Sequence, residues 1–229
     1  MHDAQRRNGL FSFLPMRIQD KKLFMFDLDG TLVDAYRAIA ESLNFARKNF
    51  GHPDIPFETV KRNVGHGDRN FVAEFFPADE VDAALAVYRS RHTLSLTKYV
   101  QLKPYARLLL FRLKQRKKLV AIASNRPRPY TDIILKALDM NKYFDDVLCA
   151  DEINALKPDP KILYTLLSRF RLSRAQAIFA GDMDVDMETA RRAAVDALFV
   201  TGGSCSIKDI ADYKPVRIVR SLKDILSYP

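Results

Sequence analysis

The chain has 229 residues with a formal net charge of +9, and its 48% hydrophobic and 28% charged residues are typical of a folded globular protein. No apolar run approaches the roughly 18 residues that a membrane-spanning helix needs. Two cysteines, Cys149 and Cys205, are too few for a disulfide framework and fit no zinc-binding spacing. The sequence therefore predicts a cytoplasmic protein with one medium-sized core and no membrane span.

The positive charge is unevenly distributed along the chain. Residues 83–131 contain twelve basic residues and no acidic one. Such a stretch attracts anions over long distances, which would suit a phosphorylated substrate, nucleic acid or acidic lipid. The alternation of charged and apolar residues from Arg107 to Lys114 favours instead a solvated face of an amphipathic helix. No basic motif is interleaved with aromatic residues, so we do not expect nucleic acid as a partner.

The first predicted element is a short apolar strand over residues 23–26. Apolar residues then recur every three or four positions from Asp34 to Phe50, which predicts a helix that ends at Gly51. Two further helices are predicted over residues 57–64 and 81–92. We find no strand signal between residues 35 and 103, so this region is expected to be a helical insertion after the first strand.

Beyond Pro104, predicted helices and strands alternate. The helices cover residues 106–115, 130–139, 160–170 and 185–195, and the strands cover residues 119–123, 147–150, 177–180 and 197–200. Such alternation requires crossover connections and predicts an α/β fold with a mainly parallel sheet. The expected division is a basic N-terminal extension (1–19), an α/β core (20–34 and 104–229) and the helical insertion (35–103).

Polar residues follow the predicted strands. Asp27 and Asp29 come after the first strand, and the later strands lead to Ser124-Asn125, Lys157 and the segment 181–186. Ligands of open parallel sheets bind beyond the carboxyl ends of the strands, so we expect these side chains to meet at one edge. Carboxylates held close together repel one another and need a cation between them, and hard oxygen donors beside an anionic substrate favour Mg²⁺.

The segment Asp27-Leu28-Asp29-Gly30-Thr31 resembles the first motif of the haloacid dehalogenase superfamily. Ser124, Lys157 and the segment 181–186 resemble its other three motifs, in the expected order. The helical insertion resembles the small cap of the phosphoglycolate phosphatase and β-phosphoglucomutase branch. The resemblance covers nearly the whole chain after residue 20, and it implies a Rossmann-like three-layer α/β core with a small helical cap inserted after the first strand.

This resemblance also implies an activity, which is Mg²⁺-dependent hydrolysis of a small phosphorylated metabolite through an aspartyl-phosphate intermediate. Asp27 would be the nucleophile, and Asp29 would be the general acid and base. The predicted phosphate-binding residues are Thr31, Ser124, Asn125 and Lys157, the last of which would also act catalytically by neutralising charge. The predicted metal ligands are Asp27, the main-chain oxygen of Asp29, Asp182 and Asp186.

Several polar residues have simpler interpretations. Asp29 and Asp34 are also compatible with turns or helix caps, and Asp184 is expected to cap the helix that follows it.

Three residues are candidates for contacting the substrate beyond its phosphate. They are His66 and Arg69 in the cap and Arg126 in the core.

The remaining cap residues have structural interpretations. The loop at residues 65–67 contains the candidate His66. It is equally compatible with a plain turn between helices that takes no part in substrate binding. His52 and His92 are expected at the surface because no metal-binding spacing joins them, and the four phenylalanines Phe50, Phe71, Phe75 and Phe76 are expected to form the cap core.

Two other functions stay open from the sequence. One is a phosphosugar mutase of the same branch. The other is a non-catalytic protein that binds an anion or nucleic acid through residues 83–131. Met183 and Lys161 depart from the family pattern, which leaves the substrate open. The sequence is compatible with a monomer or a homodimer.

Overall fold

A computed structural model describes residues 17–226 of the chain, so nearly all of the predicted N-terminal extension lies outside the described residues. The strands are β1 (Leu23–Phe26), β2 (Val33–Asp34), β3 (Gln101–Leu102), β4 (Leu119–Ser124), β5 (Asp146–Cys149), β6 (Ala177–Gly181), β7 (Asp196–Val200) and β8 (Arg217–Val219). The helices are α1 (Tyr36–Asn49), α2 (Phe57–Arg62), α3 (Asp68–Ala73), α4 (Val81–Tyr99), α5 (Ala106–Gln115), α6 (Arg128–Ala137), α7 (Ala150–Ile153), α8 (Lys161–Phe170) and α9 (Asp184–Ala193).

Six of these strands form one parallel sheet in the order β5-β4-β1-β6-β7-β8. All four residues of β1 are buried, as expected of a strand that is covered on both faces of a parallel sheet. Phe24 and Phe26 pack into one apolar cluster, whereas Leu23 and Met25 pack into a second one with residues of α8 and α9. This alternation places a layer of helices on each face of the sheet.

The insertion after β1 is built from α1 to α4, and α1 packs along α4. One expectation for this region is wrong, because β3 is a strand that pairs antiparallel with β2. Two-residue strands are too short to give a periodic signal in the sequence. The β2–β3 pair links the two segments of the chain that connect the core to the cap.

Helix α4 continues well beyond the predicted end at residue 92. Its last turns contain Ser95 and Thr97, whose hydroxyls donate to the carbonyls of Arg91 and Thr93. These bonds keep the polar side chains compatible with a helix. None of the helices in residues 17–226 is long and apolar enough to cross a membrane.

Candidate active site

The carboxyl ends of the three central strands meet at one edge of the sheet. Asp27 follows β1 and donates its backbone N–H to the carbonyl of Ala180 in β6 at 2.8 Å. Ser124 is the last residue of β4, and Asp182 follows β6. A cavity of about 60 Å³ lies between this edge and the cap. The predicted site residues Asp27, Asp29, Ser124, Asn125, Arg126 and Lys157 line it.

The Lys157 ammonium lies at the centre of the charged residues. Its Nζ donates to Asp27 Oδ1 at 2.6 Å and to Asp186 Oδ1 at 2.7 Å. Burial alone would lower the pKa of Lys157, but the two carboxylates raise it above its ordinary value. The side chain is therefore a fixed cation.

Asn125 holds the segment that carries Lys157. Its Oδ1 accepts from the Lys157 N–H at 2.7 Å, and its Nδ2 donates to the carbonyls of Lys157 and, in the cap, Gly65. We predicted that Asn125 binds phosphate, whereas here its amide is engaged with backbone. The side chain connects the third motif to the loop at residues 65–67.

Asp27, Asp182 and Asp186 form a buried acidic trio in which one oxygen from each lies within 4.8 Å of the others. Burial raises the pKa of Asp27 well above its ordinary value, against the opposing effect of Lys157. Burial and the neighbouring Asp186 raise the pKa of Asp182 to about 7. Three hard oxygen donors that repel one another fit a divalent cation, because such a cation would relieve the cost of burying their charge.

Asp182 is the most closely surrounded member of the trio. Its Oδ1 accepts from the Thr31 hydroxyl at 2.8 Å, and its Oδ2 accepts from the Ser204 N–H at 2.8 Å and the Tyr36 hydroxyl at 3.2 Å. Thr31 was predicted to bind phosphate, but its single hydroxyl hydrogen is directed to Asp182 instead. A Cβ added at Gly203 would lie 1.9 Å from Asp182 Oδ2, so that glycine is needed for clearance.

Asp186 has two tasks. Its Oδ1 accepts from Lys157, and its Oδ2 accepts from the Met183 N–H at 3.1 Å, which caps α9. The expectation that Asp184 is the helix cap is wrong. The N-cap position belongs to Met183, and Asp184 is the first helical residue and accepts from the Val185 N–H.

Asp29 is paired with Arg126. The Nε of Arg126 donates to Asp29 Oδ2 at 2.7 Å, and its Nη2 donates to Asp29 Oδ1 at 2.9 Å. Both side chains are largely buried and line the cavity. Ser124 contributes to this arrangement, since its hydroxyl accepts from the Arg126 N–H at 3.1 Å.

The expectation that His92 lies at the surface is wrong, since only 1% of it is exposed. Its ring stacks on Tyr88 and lies within hydrogen-bond distance of Arg126 Nη1 and the Ser42 hydroxyl. Burial, with a contribution from Arg126, lowers the pKa of His92 well below its ordinary value, so the ring is neutral. His52 is partly exposed and contacts Glu80.

The two cap candidates for substrate contact lie outside the cavity lining. His66 is exposed, and the exposed Arg69 donates to Asp82 at 2.8 Å. The cap contributes mostly apolar side chains to the cavity, among them Val64, Phe71 and Tyr88. The expected cap core is present, with Phe71 packed edge-on against Phe75, and Phe50 packed edge-on against Phe76.

The model of the family "haloacid dehalogenase-like hydrolase" matches residues 24–200, more than half of the chain. The chain belongs to this family. A phosphoglycolate phosphatase from Mannheimia succiniciproducens is 30% identical over 90% of this chain and 96% of its own length. Phosphoglycolate phosphatase 1 of Pseudomonas aeruginosa is 28% identical over 90% of this chain and 78% of its own length.

A solved structure, described as a predicted phosphoglycolate phosphatase from Haemophilus somnus, has the same fold. It superposes with a TM-score of 0.85 at 27% identity and covers 91% of this chain and 97% of its own. The predicted haloacid dehalogenase-like family and α/β fold are thereby confirmed.

Proposed function

We propose that this haloacid dehalogenase-like hydrolase is a Mg²⁺-dependent phosphatase of a small phosphomonoester, with phosphoglycolate-like compounds as the first candidates. The observation that carries the proposal is the buried acidic trio with the Lys157 ammonium between two of its members. This arrangement joins a carboxylate nucleophile to fixed positive charge at the place where a dianionic group would react. The names of the relatives support the same reaction class.

Asp27 is the proposed nucleophile. Its carboxylate forms a bond to phosphorus as the bond between phosphorus and the ester oxygen breaks, which gives an aspartyl-phosphate. Lys157 is already in contact with Asp27 Oδ1, so it stays close to the phosphoryl oxygens throughout this step. Its charge offsets the repulsion between two anions, which contributes much of the barrier to phosphoryl transfer.

Asp29 is the proposed general acid and base. It donates a proton to the ester oxygen as the alcohol leaves, and it takes a proton from the water that then attacks the aspartyl-phosphate. The products are the alcohol and inorganic phosphate, and Asp27 is regenerated. Asp29 lines the cavity close to the core, as this role requires.

The acidic trio would hold the metal ion, and the main-chain oxygen of Asp29 is the proposed further ligand. The donor set is carboxylate oxygen, which suits Mg²⁺. When bound, Mg²⁺ supplies positive charge that offsets the charge developing on the transferring phosphoryl group. Thr31, Tyr36 and the Ser204 N–H keep Asp182 in place for it.

The lining of the cavity favours a compact substrate. Its cap side is mostly apolar, with Val64, Phe71 and Tyr88 among its members. Such a wall offers few hydrogen-bond partners to the several hydroxyls of a sugar bisphosphate, which a mutase would have to retain and turn over. This lining therefore favours a small ester.

The test is phosphate release from a panel of monoesters with and without Mg²⁺. The panel contains 2-phosphoglycolate, glycerol phosphate, glucose 1-phosphate and a nucleotide. We expect metal-dependent release with the highest kcat/KM on the smallest ester. Formation of glucose 6-phosphate without phosphate release would favour the mutase, and no turnover of any ester would contradict the proposal.

A further inference from the structure

The Arg126 guanidinium is shared between the catalytic edge and the cap. Two of its nitrogens donate hydrogen bonds to the two carboxylate oxygens of Asp29, which forms a planar fork. The third nitrogen, Nη1, lies 2.7 Å from His92 Nε2. The fork is the strongest geometry for an arginine and a carboxylate. Both side chains are largely buried, so the fork is shielded from solvent.

The partners of His92 define its protonation state. Arginine only donates, so Nε2 of His92 must accept from it, and the ring proton is therefore on Nδ1. Nδ1 lies 2.9 Å from the Ser42 hydroxyl, which accepts this proton and donates its own to the Ala38 carbonyl at 2.7 Å. Each of these three donors therefore has an acceptor, and the Tyr88 hydroxyl also lies 3.4 Å from the same Nε2. The cap thus presents a neutral, fixed acceptor to Arg126.

The same fork prevents the Asp29 carboxylate from acting on a substrate. The proposed reaction needs Asp29 at the ester oxygen, but both of its oxygens are bound to Arg126. Separating the pair without a replacement would leave a buried, unpaired guanidinium, which is strongly unfavourable. Only an anion that offers two oxygens to the fork, a carboxylate or a phosphoryl group, reproduces what Arg126 would lose. The reacting phosphoryl group is engaged at Asp27 and Lys157, which leaves a carboxylate of the substrate.

We propose that Arg126 determines specificity by exchanging partners. A carboxylate bonded to the ester carbon takes the guanidinium from Asp29. The freed Asp29 takes a proton from solvent and turns to the ester oxygen, to which it donates that proton as the alcohol leaves. His92 is a positioning residue that holds the guanidinium during the exchange. This inference rests on the proposed phosphatase function, and it adds that the substrate's own carboxylate releases the acid and base.

The test compares two esters of similar size, 2-phosphoglycolate and ethyl phosphate, which has a methyl group in place of the carboxylate. The wild-type chain should prefer 2-phosphoglycolate by about 100-fold in kcat/KM, with part of the preference in kcat. Arg126→Met should lose about 100-fold on 2-phosphoglycolate. On ethyl phosphate it should keep or gain activity, because Asp29 is then free from the start.

The two other arginine variants control for charge and folding. Arg128 lies two residues further along, is partly exposed and pairs with Asp132 and Glu152 outside the cavity. Arg128→Met should therefore leave kcat/KM for both esters within about twofold. Arg126→Lys keeps the charge without the fork and should give an intermediate preference. Thermal melting of each variant reports whether it is folded.

His92 variants test the cap side of the exchange. His92→Leu removes the acceptor and should raise KM for 2-phosphoglycolate by about tenfold, with little effect on ethyl phosphate. His92→Gln offers an amide oxygen to Arg126 and should restore most of the loss. A merely structural role would affect both esters alike.

The outcomes separate the two proposals. Equal activity of the wild-type chain on both esters would overturn the exchange and leave the phosphatase intact. An equal loss on both esters in Arg126→Met would also overturn it. Phosphate release from no ester at all would contradict the proposed function itself, and the exchange with it.

Discussion

The two walls of the cavity are built differently. The core wall carries charge on Asp27 and Asp29 after β1, on Arg126 after β4 and on the loop residue Lys157. The cap wall is formed by helical residues such as Phe71 and Tyr88. It presents mostly apolar surface, together with the neutral imidazole of His92 and with Asp68, which is paired with Arg89. We infer that the core wall provides the chemistry, and that Arg126 of the core and the cap wall together provide selection.

This difference follows from how the residues are positioned. A residue that follows a strand of a parallel sheet has its place set by the strand itself. A residue on the cap wall depends on how α1 and α4 pack together and on how the cap lies against the core. Substitutions at Asp27 or Lys157 of the core wall should therefore change turnover of every ester, whereas changes at Arg126 or His92 should depend on the ester used.

The largest expected effect is at the nucleophile. Asp27→Asn should lower kcat for all esters by about 10⁴-fold or more, because the amide cannot form the aspartyl-phosphate. The volume is nearly unchanged, so the fold should be retained. Phosphate release and circular dichroism of the variant are the measurements. Residual activity above about 1% of wild type on any ester would place the nucleophile elsewhere.

The next largest effect is expected for Gly30→Ala, which tests how closely atoms are packed around Asp182. Gly30 has φ +81°, and a Cβ there would lie 2.1 Å from the Tyr36 hydroxyl and 2.3 Å from Asp182 Oδ2. Gly51 has a similar φ of +73° with no atom within 4 Å of a Cβ. Gly51→Ala should cost about 1 kcal/mol of unfolding free energy from backbone strain alone. Gly30→Ala should cost about 1–3 kcal/mol more and should lower kcat by about 100-fold.

Urea unfolding and steady-state kinetics of both alanine variants give this comparison. Equal destabilisation by the two substitutions would show that the core wall has room to adjust. It would also weaken the assignment of Asp182 to a fixed position.

A smaller effect is expected on the thermal stability that Mg²⁺ adds at different pH values. The pKa of Asp182 is raised to about 7 in the folded chain, above its ordinary value of 3.8. This group therefore stabilises the metal-free fold fully below about pH 4, and the contribution is lost as the pH rises through about 7. A divalent cation binds the ionised carboxylates, so its stabilising effect grows over the same range. Mg²⁺ should raise Tm by roughly 3 °C more at about pH 8 than at about pH 6.

Thermal melts with and without Mg²⁺ at both pH values measure this difference. Asp182→Asn should reduce it, because one ionising ligand is lost. The same Mg²⁺ increment at both pH values in the wild-type chain would contradict the acidic trio as the metal site.

The difference between the two walls also explains which site residues could be predicted from the sequence. Asp27, Lys157 and Asp182 were predicted because strand ends and motif spacing both identify them. Ser204 was missed although it carries a similar signal, since Thr201-Gly202-Gly203-Ser204 follows β7. Tyr36 gave no such signal, because its contact with Asp182 joins positions 146 residues apart.

The cap wall was harder to predict for a similar reason. A single histidine in a helix has no pattern that distinguishes a surface from a buried position. His92 acquires its role only where α4 meets Arg126 of the core. The edge strand β8, with three residues, was also missed, and it lies far from the site in the sheet order.

The smallest expected effect lies outside both walls, in the basic stretch at residues 83–131. Its members do not form one continuous field, because many are paired with carboxylates from other parts of the chain. Such pairs are Arg89 with Asp68, Arg91 with Glu41, Lys114 with Asp145 and Arg128 with Asp132. Helix α5 is partly exposed and contributes no residue to the cavity lining. This arrangement favours the solvated-face interpretation.

The double substitution Arg112→Gln and Lys117→Gln tests that interpretation. Both side chains are exposed, and salt screens such charges beyond about 10 Å. The change in kcat/KM should stay below about twofold at both low and high salt. A loss of about tenfold that appears only at low salt would show instead that the basic stretch gathers the anionic substrate. Selection would then begin on the outer surface, before the ester reaches either wall.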